Sequence, residues 1–340
     1  MLFILLALQV ASATPVADPF AFFQPSVTIT ADDRGTLDRG QPIAHVLPSK
    51  DLEVAVLAAV PINIDGDRLV SWMRRIEELK KSSYVLAIGR FSDPPRIEDL
   101  AALSLDDKDL SDIRACRPGH CGLNLSAGEM VELQRAAAEA LDGQAGLQQA
   151  FRRILLTRVQ TYLTTGQIGA YEDEKNLMSP ATRFAPLLDH SAFLTGRLPQ
   201  LAEHLRGFPL TVAPGAESFV YWSKERLASK AVVSITHVTI VRGHDPDLPD
   251  ALVAGKQVYS AHYVNASLGV TALMRGEPEG SNYLVYVNRS EVDMLGGTFG
   301  GVIRWFMQRR LKAEAATVLQ NLRRRLEGGE PPPAVVTSAR

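Results

Sequence analysis

The tightest constraint on this chain lies in its last third, where a long apolar stripe follows a series of β-rich segments. Ile303, Met307, Leu311, Ala315, Val318, Leu322 and Leu326 recur at intervals of four, four, four, three, four and four residues. That spacing keeps them on one side of an α-helix for about six turns, a face too large to leave in water. Trp305 and Phe306 widen the stripe near its start. Gly328-Gly329, followed by Pro331, Pro332 and Pro333, stops it. Upstream, residues 219–222, 232–241, 257–264 and 283–287 are rich in Val, Ile, Tyr and Thr and are separated by turn signals, with a further strand expected over 268–274. A helix so sided needs a surface to cover it, and consecutive strands supply an antiparallel sheet.

The front of the chain reads as strand, helix, strand over 53–60, 68–81 and 84–91. Leu69, Met73 and residues 76–79 form the buried side of that helix, and Ser92-Asp93-Pro94-Pro95 ends the second strand. Residues 14–48 carry no sustained period and several Asp, Gly and Pro, which implies an extended leader. The middle is helical. Ser104 with Asp107 and Ser126 with Glu129 have the spacing of capping boxes. Asp142-Gly143 breaks the pattern, and Leu147, Phe151, Ile154, Leu155 and Tyr162 mark an amphipathic helix over 147–163. The expected organisation is a strand–helix–strand part (49–95), a helical insertion (96–214), strands with a closing helix (215–328), and a disordered tail (329–340).

This element order, over 53–91 and 219–326, resembles the helix-grip fold of the START-like (SRPBCC) superfamily. The segment Tyr283-Leu284-Val285-Tyr286-Val287-Asn288-Arg289, leading into a glycine-rich turn and the helix, adds to the resemblance. The resemblance implies an α+β fold in which an antiparallel sheet wraps a long C-terminal helix, here with a large helical insertion. It further implies a cavity between sheet and helix that holds an apolar small molecule or lipid. The chain also resembles exported bacterial proteins of no assigned activity.

Residues 2–10 are apolar apart from Gln9, and Ala11-Ser12-Ala13 places small residues where a signal peptidase reads. A signal peptide of residues 1–13 is therefore expected, although no Lys or Arg precedes the apolar run, and the product would be periplasmic or secreted. Later stretches are too short or too polar to span a bilayer. The formal net charge of −2 gives no electrostatic case for nucleic acid. Cys116 and Cys121 are the only cysteines and flank a Pro118-Gly119 turn, so a structural disulfide is the leading expectation. A redox pair or a zinc site with His120 is the weaker alternative.

Hydrolase, nucleotide and haem signatures are missing: there is no His-Glu-x-x-His, Gly-x-Ser-x-Gly, Ser-x-x-Lys, phosphate loop or Cys-x-x-Cys-His. No catalytic residue, metal ligand or cofactor is assigned. Gly296, Gly297, Gly300 and Gly301 read as a packing turn, and Asn63-x-Asp65-Gly66-Asp67 as a helix cap rather than a calcium loop. Aromatic residues on strands can line a cavity, which nominates Tyr221, Trp222, His237, His262 and Tyr263 as ligand-binding residues. His237 and His262 share a face only in half of the available registers. Arg304, Arg309, Arg310, Lys312, Arg323, Arg324 and Arg325 give the last helix a basic side, read as a solvated face or a contact with anionic lipid headgroups. The leading functional expectation is a non-enzymatic carrier. The alternatives are a hydrolase or isomerase in the same cavity, and a structural or partner-binding envelope protein.

Overall fold

The apolar run starting at Val54 becomes a strand buried on both faces, and the rest of the fold is arranged about it. A computed structural model describes residues 18–139, 143–172, 177–227, 230–276, 281–296 and 300–329. The expected signal peptide (1–13) and residues 330–340 of the expected tail lie outside the described residues.

In chain order the first elements are α1 (Ala31–Asp38), β1 (Ile43–Val46), β2 (Glu53–Ile62), α2 (Gly66–Met73), α3 (Ile76–Leu79) and β3 (Val85–Arg90). Helices α4 (Asp107–Ala115), α5 (Ala127–Glu139) and α6 (Gly143–Thr165) follow, then the paired short strands β4 (Tyr171–Glu172) and β5 (Leu177–Met178). Next come α7 (Pro180–Asp189), α8 (Ala192–Arg197) and α9 (Pro199–Gly207). The chain ends in a meander of β6 (Glu217–Leu227), β7 (Lys230–Arg242), β8 (Ala251–Ser260), β9 (Val264–Met274) and β10 (Asn282–Val292), closed by α10 (Gly300–Gly328).

The main sheet has eight antiparallel strands in the order β1-β2-β10-β9-β8-β7-β6-β3. Strand β2 therefore pairs with the last strand of the meander, and β3 with the first. This is the expected α+β, helix-grip-like arrangement. The inner face carries α2, α3 and the C-terminal half of α10, with Ala58, Val60, Ile62, Trp72, Leu319 and Leu326 in one cluster. The outer face is covered by the inserted helices. Leu57, Ala59 and Val285 pack with Phe184, Phe193 and Leu201, while Trp222 and Ile235 pack with Phe151 and Leu155. The insertion thus shares the sheet's core.

Several expectations need correction. Residues 18–48 are not a loose leader. Phe20, Phe22, Phe23, Val27 and Leu37 are all buried against the outer layer, and apolar burial fixes the segment without any periodicity. The helix expected over 68–81 breaks at Arg75, whose φ of −119° and ψ of 53° re-aim Ile76 and Leu79 into the cluster of Leu69 and Met73. The strand expected over 257–264 straddles the β8–β9 turn, where Tyr263 takes a left-handed φ of 64°. Ser126 and Glu129 do form their capping box, with bonds of 3.3 and 2.7 Å. Ser104 does not cap: Asp106 caps α4 instead, and the Ser104 carbonyl accepts from Lys224 Nζ at 2.7 Å.

The stripe on α10 also shifts. Val318 is 54% exposed, whereas Leu319 is 3% exposed, and Ala315 and Leu322 flank the buried cluster. Four residues overshoot a helical turn by about 40°, so a four-by-four series winds around the helix, and by this end Leu319 and Leu326 define the buried sector. The side chains of Ile303, Met307 and Leu311 lie outside the described residues. Nor are all the basic residues solvated. Arg304 donates to Glu53 O at 2.7 Å, Arg323 to Gly40 O at 3.1 Å and Arg325 to Glu78 O at 3.0 Å, while Arg309, Lys312 and Arg324 are exposed. The C-terminus of α10 is held by Arg68, which donates to the Leu326 carbonyl, a cation where the last carbonyls need donors.

Cys116 and Cys121 are bonded, with sulfurs 2.02 Å apart. Gly119 supplies the positive φ of 77° that the Pro118-Gly119 turn requires.

Candidate functional site

Successive residues of a strand point to opposite faces, and on β7 to β10 the two faces are built differently. Outer-facing residues are mostly buried. Inner-facing ones divide, with Val238, Ile240, Val253, Leu273 and Leu284 buried against α2 and α10 at one end and partly exposed, mostly polar residues at the other. The register aligns them across the sheet. Ser223 pairs with Ser234, Thr236 with Gln257, Ser267 with Ser290, and Thr271 with Tyr286. At the centre Gly255 lies beside Gly269, which lies beside Asn288. Two adjacent glycines remove the side chains from the middle of this floor. The atoms nearest a Cβ built on Gly269 belong to Tyr286 and Asn288, at 3.6 Å or more, which is ordinary contact. Helix α10 runs over β1 and β2, and α3 lies against β3, so the floor is walled on two sides.

Local hydrogen bonds hold the floor. Ser290 Oγ donates to Asn288 Oδ1 at 2.8 Å, Asn288 Nδ2 donates to Ser267 Oγ at 3.2 Å, and Ser267 and Ser290 hydroxyls are 2.8 Å apart. At the α3 wall, Lys80 Nζ donates to Glu225 Oε1 at 2.6 Å and to the Tyr221 hydroxyl at 3.2 Å. Ser223 Oγ donates to the same carboxylate oxygen at 2.6 Å. The pair is not sealed, since the Lys80 and Glu225 side chains keep 29% and 34% of their area accessible. Burial alone would lower the Lys80 pKa, but Tyr221 and Glu225 outweigh it and raise it above the usual lysine range. Burial opposes ionisation of Glu225, yet Lys80 and Ser223 together hold its pKa below the ordinary value. Tyr286 is pushed up, chiefly by burial, and stays an O–H donor.

Of the five residues nominated from sequence, Tyr221 alone stands on this floor. Trp222, its neighbour, faces the other way, and its indole donates to Asp99 O at 2.8 Å. His237 is on the outer face, bonded to Tyr162 at 2.8 Å. His262, in the β8–β9 turn, lies between Asp109 (3.1 Å) and Gly122 O (2.6 Å) and ties the insertion to the sheet. Tyr263 packs at the rim near Val54 and Val292. Sequence reasoning missed Lys80, Glu225, Ser223, Asn288 and the glycine pair. A signal for part of the floor was present in Ser267-x-Gly269-x-Thr271 and Tyr286-x-Asn288-x-Ser290, where polar or small residues alternate with apolar ones.

Among the described residues no three His, Cys, Asp or Glu side chains gather as a metal site, and no helix is long and apolar enough to cross a membrane. A second depression of about 280 Å³ lies between the α8–α9 junction and the β7–β8 connection. Its lining is largely apolar, as at Leu198, Leu201, Val241 and Leu252, and its rim residue Arg242 is paired with Asp67 at 2.6 Å. Its polar lining is limited to Arg197, Gln200 and Arg242, against the row of hydroxyls and amides on the inner floor, so the inner groove is the better candidate.

No family model matches the chain, and no curated protein matches it. Among solved structures, TTHA0849 from Thermus thermophilus is 14% identical with a TM-score of 0.25, over 32% of this chain and 66% of that one. The chain therefore spans just under two thirds of that relative. The di-domain ARO/CYC BexL from the BE-7585A biosynthetic pathway is 13% identical with a TM-score of 0.25, over 86% of this chain and 77% of that one. Neither likeness is close enough to transfer a residue or a ligand.

Proposed function

We propose that this protein binds a small amphipathic molecule, without transforming it, in the groove between the inner face of the sheet and the α3 and α10 walls. The observation that carries the reading is the half-exposed polar floor. A sheet face meant only to pack a helix buries apolar side chains, as the outer face does here. The inner face does this at one end only, against α2 and α10, and at the other presents hydroxyls, amides and two glycines that stay partly exposed. Tyr286, partly exposed, adds ring surface for an apolar body, while the floor's hydroxyls and amides fix a polar end. A wholly apolar lipid would shut these groups from water without using their remaining hydrogen-bonding capacity, so an amphipathic ligand fits better.

A catalytic reading is less well supported. General acids and bases work best with pKa values near the operating pH. Lys80 and Glu225 are moved away from neutrality in opposite directions, which suits an electrostatic fixture rather than a proton shuttle. Export belongs to the same proposal, supported by the apolar run of residues 2–10 with Ala11-Ser12-Ala13 and by the bonded cysteines.

Gly269→Leu tests the groove. Its Cβ meets ordinary contacts with Tyr286 and Asn288 of the floor. N-phenyl-1-naphthylamine, a neutral amphipathic dye, should bind the wild type saturably and lose at least tenfold in affinity in Gly269→Leu. The denaturant midpoint of the variant should stay within about 0.5 kcal/mol of wild type. Equal dye binding by the two proteins at equal stability would put the ligand site elsewhere.

A further inference from the structure

Of the chain's 7 histidines, three stand against carboxylates: His45 with Asp33 at 2.8 Å, His190 with Glu53 at 2.6 Å and His262 with Asp109 at 3.1 Å. His204 and His237 do not. Each is 1% exposed, beneath the segment that leads from α9 into β6 on the outer face. His237 sits directly opposite Lys256 in the β7–β8 register, and Lys256 is itself 4% exposed. The Lys256 ammonium donates to Leu205 O at 2.7 Å and lies 5.5 and 4.9 Å from the ring centres of Tyr162 and Phe184. Around His237 the packed groups are Tyr162 from α6, His204 from α9, the Phe208 ring at 4.3 Å, Lys256 from β8 and Val220 from β6. None of these carries negative charge.

The hydrogen bonds suit neutral rings. The Tyr162 hydroxyl lies 2.8 Å from Nδ1 of His237 and stays protonated because burial raises its pKa; in one of the two neutral tautomers it donates and Nδ1 accepts. The ring proton then sits on Nε2, which is buried without a partner among the described residues. His204 Nδ1 lies 3.0 Å from Thr211 O and Nε2 lies 3.2 Å from Thr239 Oγ1. Residues 208–214 are therefore held down by Phe208 on the His237 ring and by the His204–Thr211 bond. The same segment exposes Leu210 and Val212 to solvent, at 89% and 67%.

We propose that His204, His237 and Lys256 form an acid-sensitive latch, in which protonation of a histidine beside the buried ammonium releases residues 208–214 from the sheet. With Nδ1 as the acceptor, a second proton on His237 would sit there and take it away from the Tyr162 hydroxyl. It would also place two cations opposite each other across a buried ladder. Burial first, then His204 and Lys256, pushes the His237 pKa down to about 3. Burial also lowers His204, against the opposing bond to Thr211 and with help from Lys256. Lys256 is pushed down to about 8 by burial and so remains mostly charged at neutral pH. A released His237 regains the ordinary value of about 6.5 and binds the extra proton between there and about pH 3, so acid favours release.

Hydrogen exchange on the full chain tests the latch, read as protection factors for residues 199–216. A histidine that titrates near pH 6.5 when released and near 3 when held raises the opening equilibrium about 25-fold between pH 7 and pH 5. Protection in β9 and β10 should change far less. His237→Gln keeps an acceptor for Tyr162 but takes no proton, so most of the pH dependence should vanish. If that variant fails to fold, the wild-type contrast between 199–216 and the strands decides alone. Constant protection of 199–216 from pH 7 to pH 5, an equal loss in the strands, or a full 25-fold response in a folded His237→Gln would overturn the latch.

Discussion

Replacing Glu129 with alanine is expected to destabilise the fold by about 3–5 kcal/mol, the cost of leaving one member of a buried ion pair alone. Arg158 donates to both Glu129 oxygens, at 2.7 and 2.6 Å, and its side chain is only 7% exposed. The same guanidinium donates to Gly169 O at 2.9 Å and lies 5.0 Å from the Tyr259 ring centre. Without the carboxylate, that charge stays between the insertion and the sheet with too few acceptors. Glu129 also accepts from Ser126 N at 2.7 Å, so α5 loses half of its capping box. Arg74→Ala is the contrasting case. Its pair with Glu217 has similar geometry, but the two side chains are 50% and 46% exposed, and the loss should be at most about 1 kcal/mol. Urea melts of both variants check this. A Glu129→Ala cost no larger than that of Arg74→Ala would mean that the insertion is not docked through this pair.

The second large effect concerns α10. Leu326 is fully buried between α2 and the inner face, and Leu326→Ala should cost about 2–5 kcal/mol through lost burial and the cavity left behind. Val318→Ser, at a position 54% exposed, should change stability by about 0.5 kcal/mol or less. Denaturant midpoints decide between the rotated buried sector and the stripe read from spacing. A Val318→Ser loss as large as that of Leu326→Ala would restore the stripe.

Element order was legible because burial on both faces leaves continuous apolar runs, as in residues 53–62, and because long sided helices are periodic. The Ser126–Glu129 box was legible because capping is a local exchange between residues three apart. What the sequence obscured was mostly long-range. Lys80 meets Glu225 across 145 positions, and nothing near Lys80 marks it as part of a floor. A local rule separates the aromatic nominees. Tyr221 and Trp222 are consecutive in a strand, so at most one could face any single cavity. Phe20, Phe22 and Phe23 carry enough apolar surface to fix their segment, but a short irregular segment shows no period by which to read it.

Native mass spectrometry of the protein isolated from its own source, beside Gly269→Leu produced in the same way, tests the groove most directly. The wild type should carry a stoichiometric small-molecule adduct that is released on denaturation and is missing from Gly269→Leu. A wild type with no adduct, or the same adduct retained by Gly269→Leu, would contradict binding in the groove.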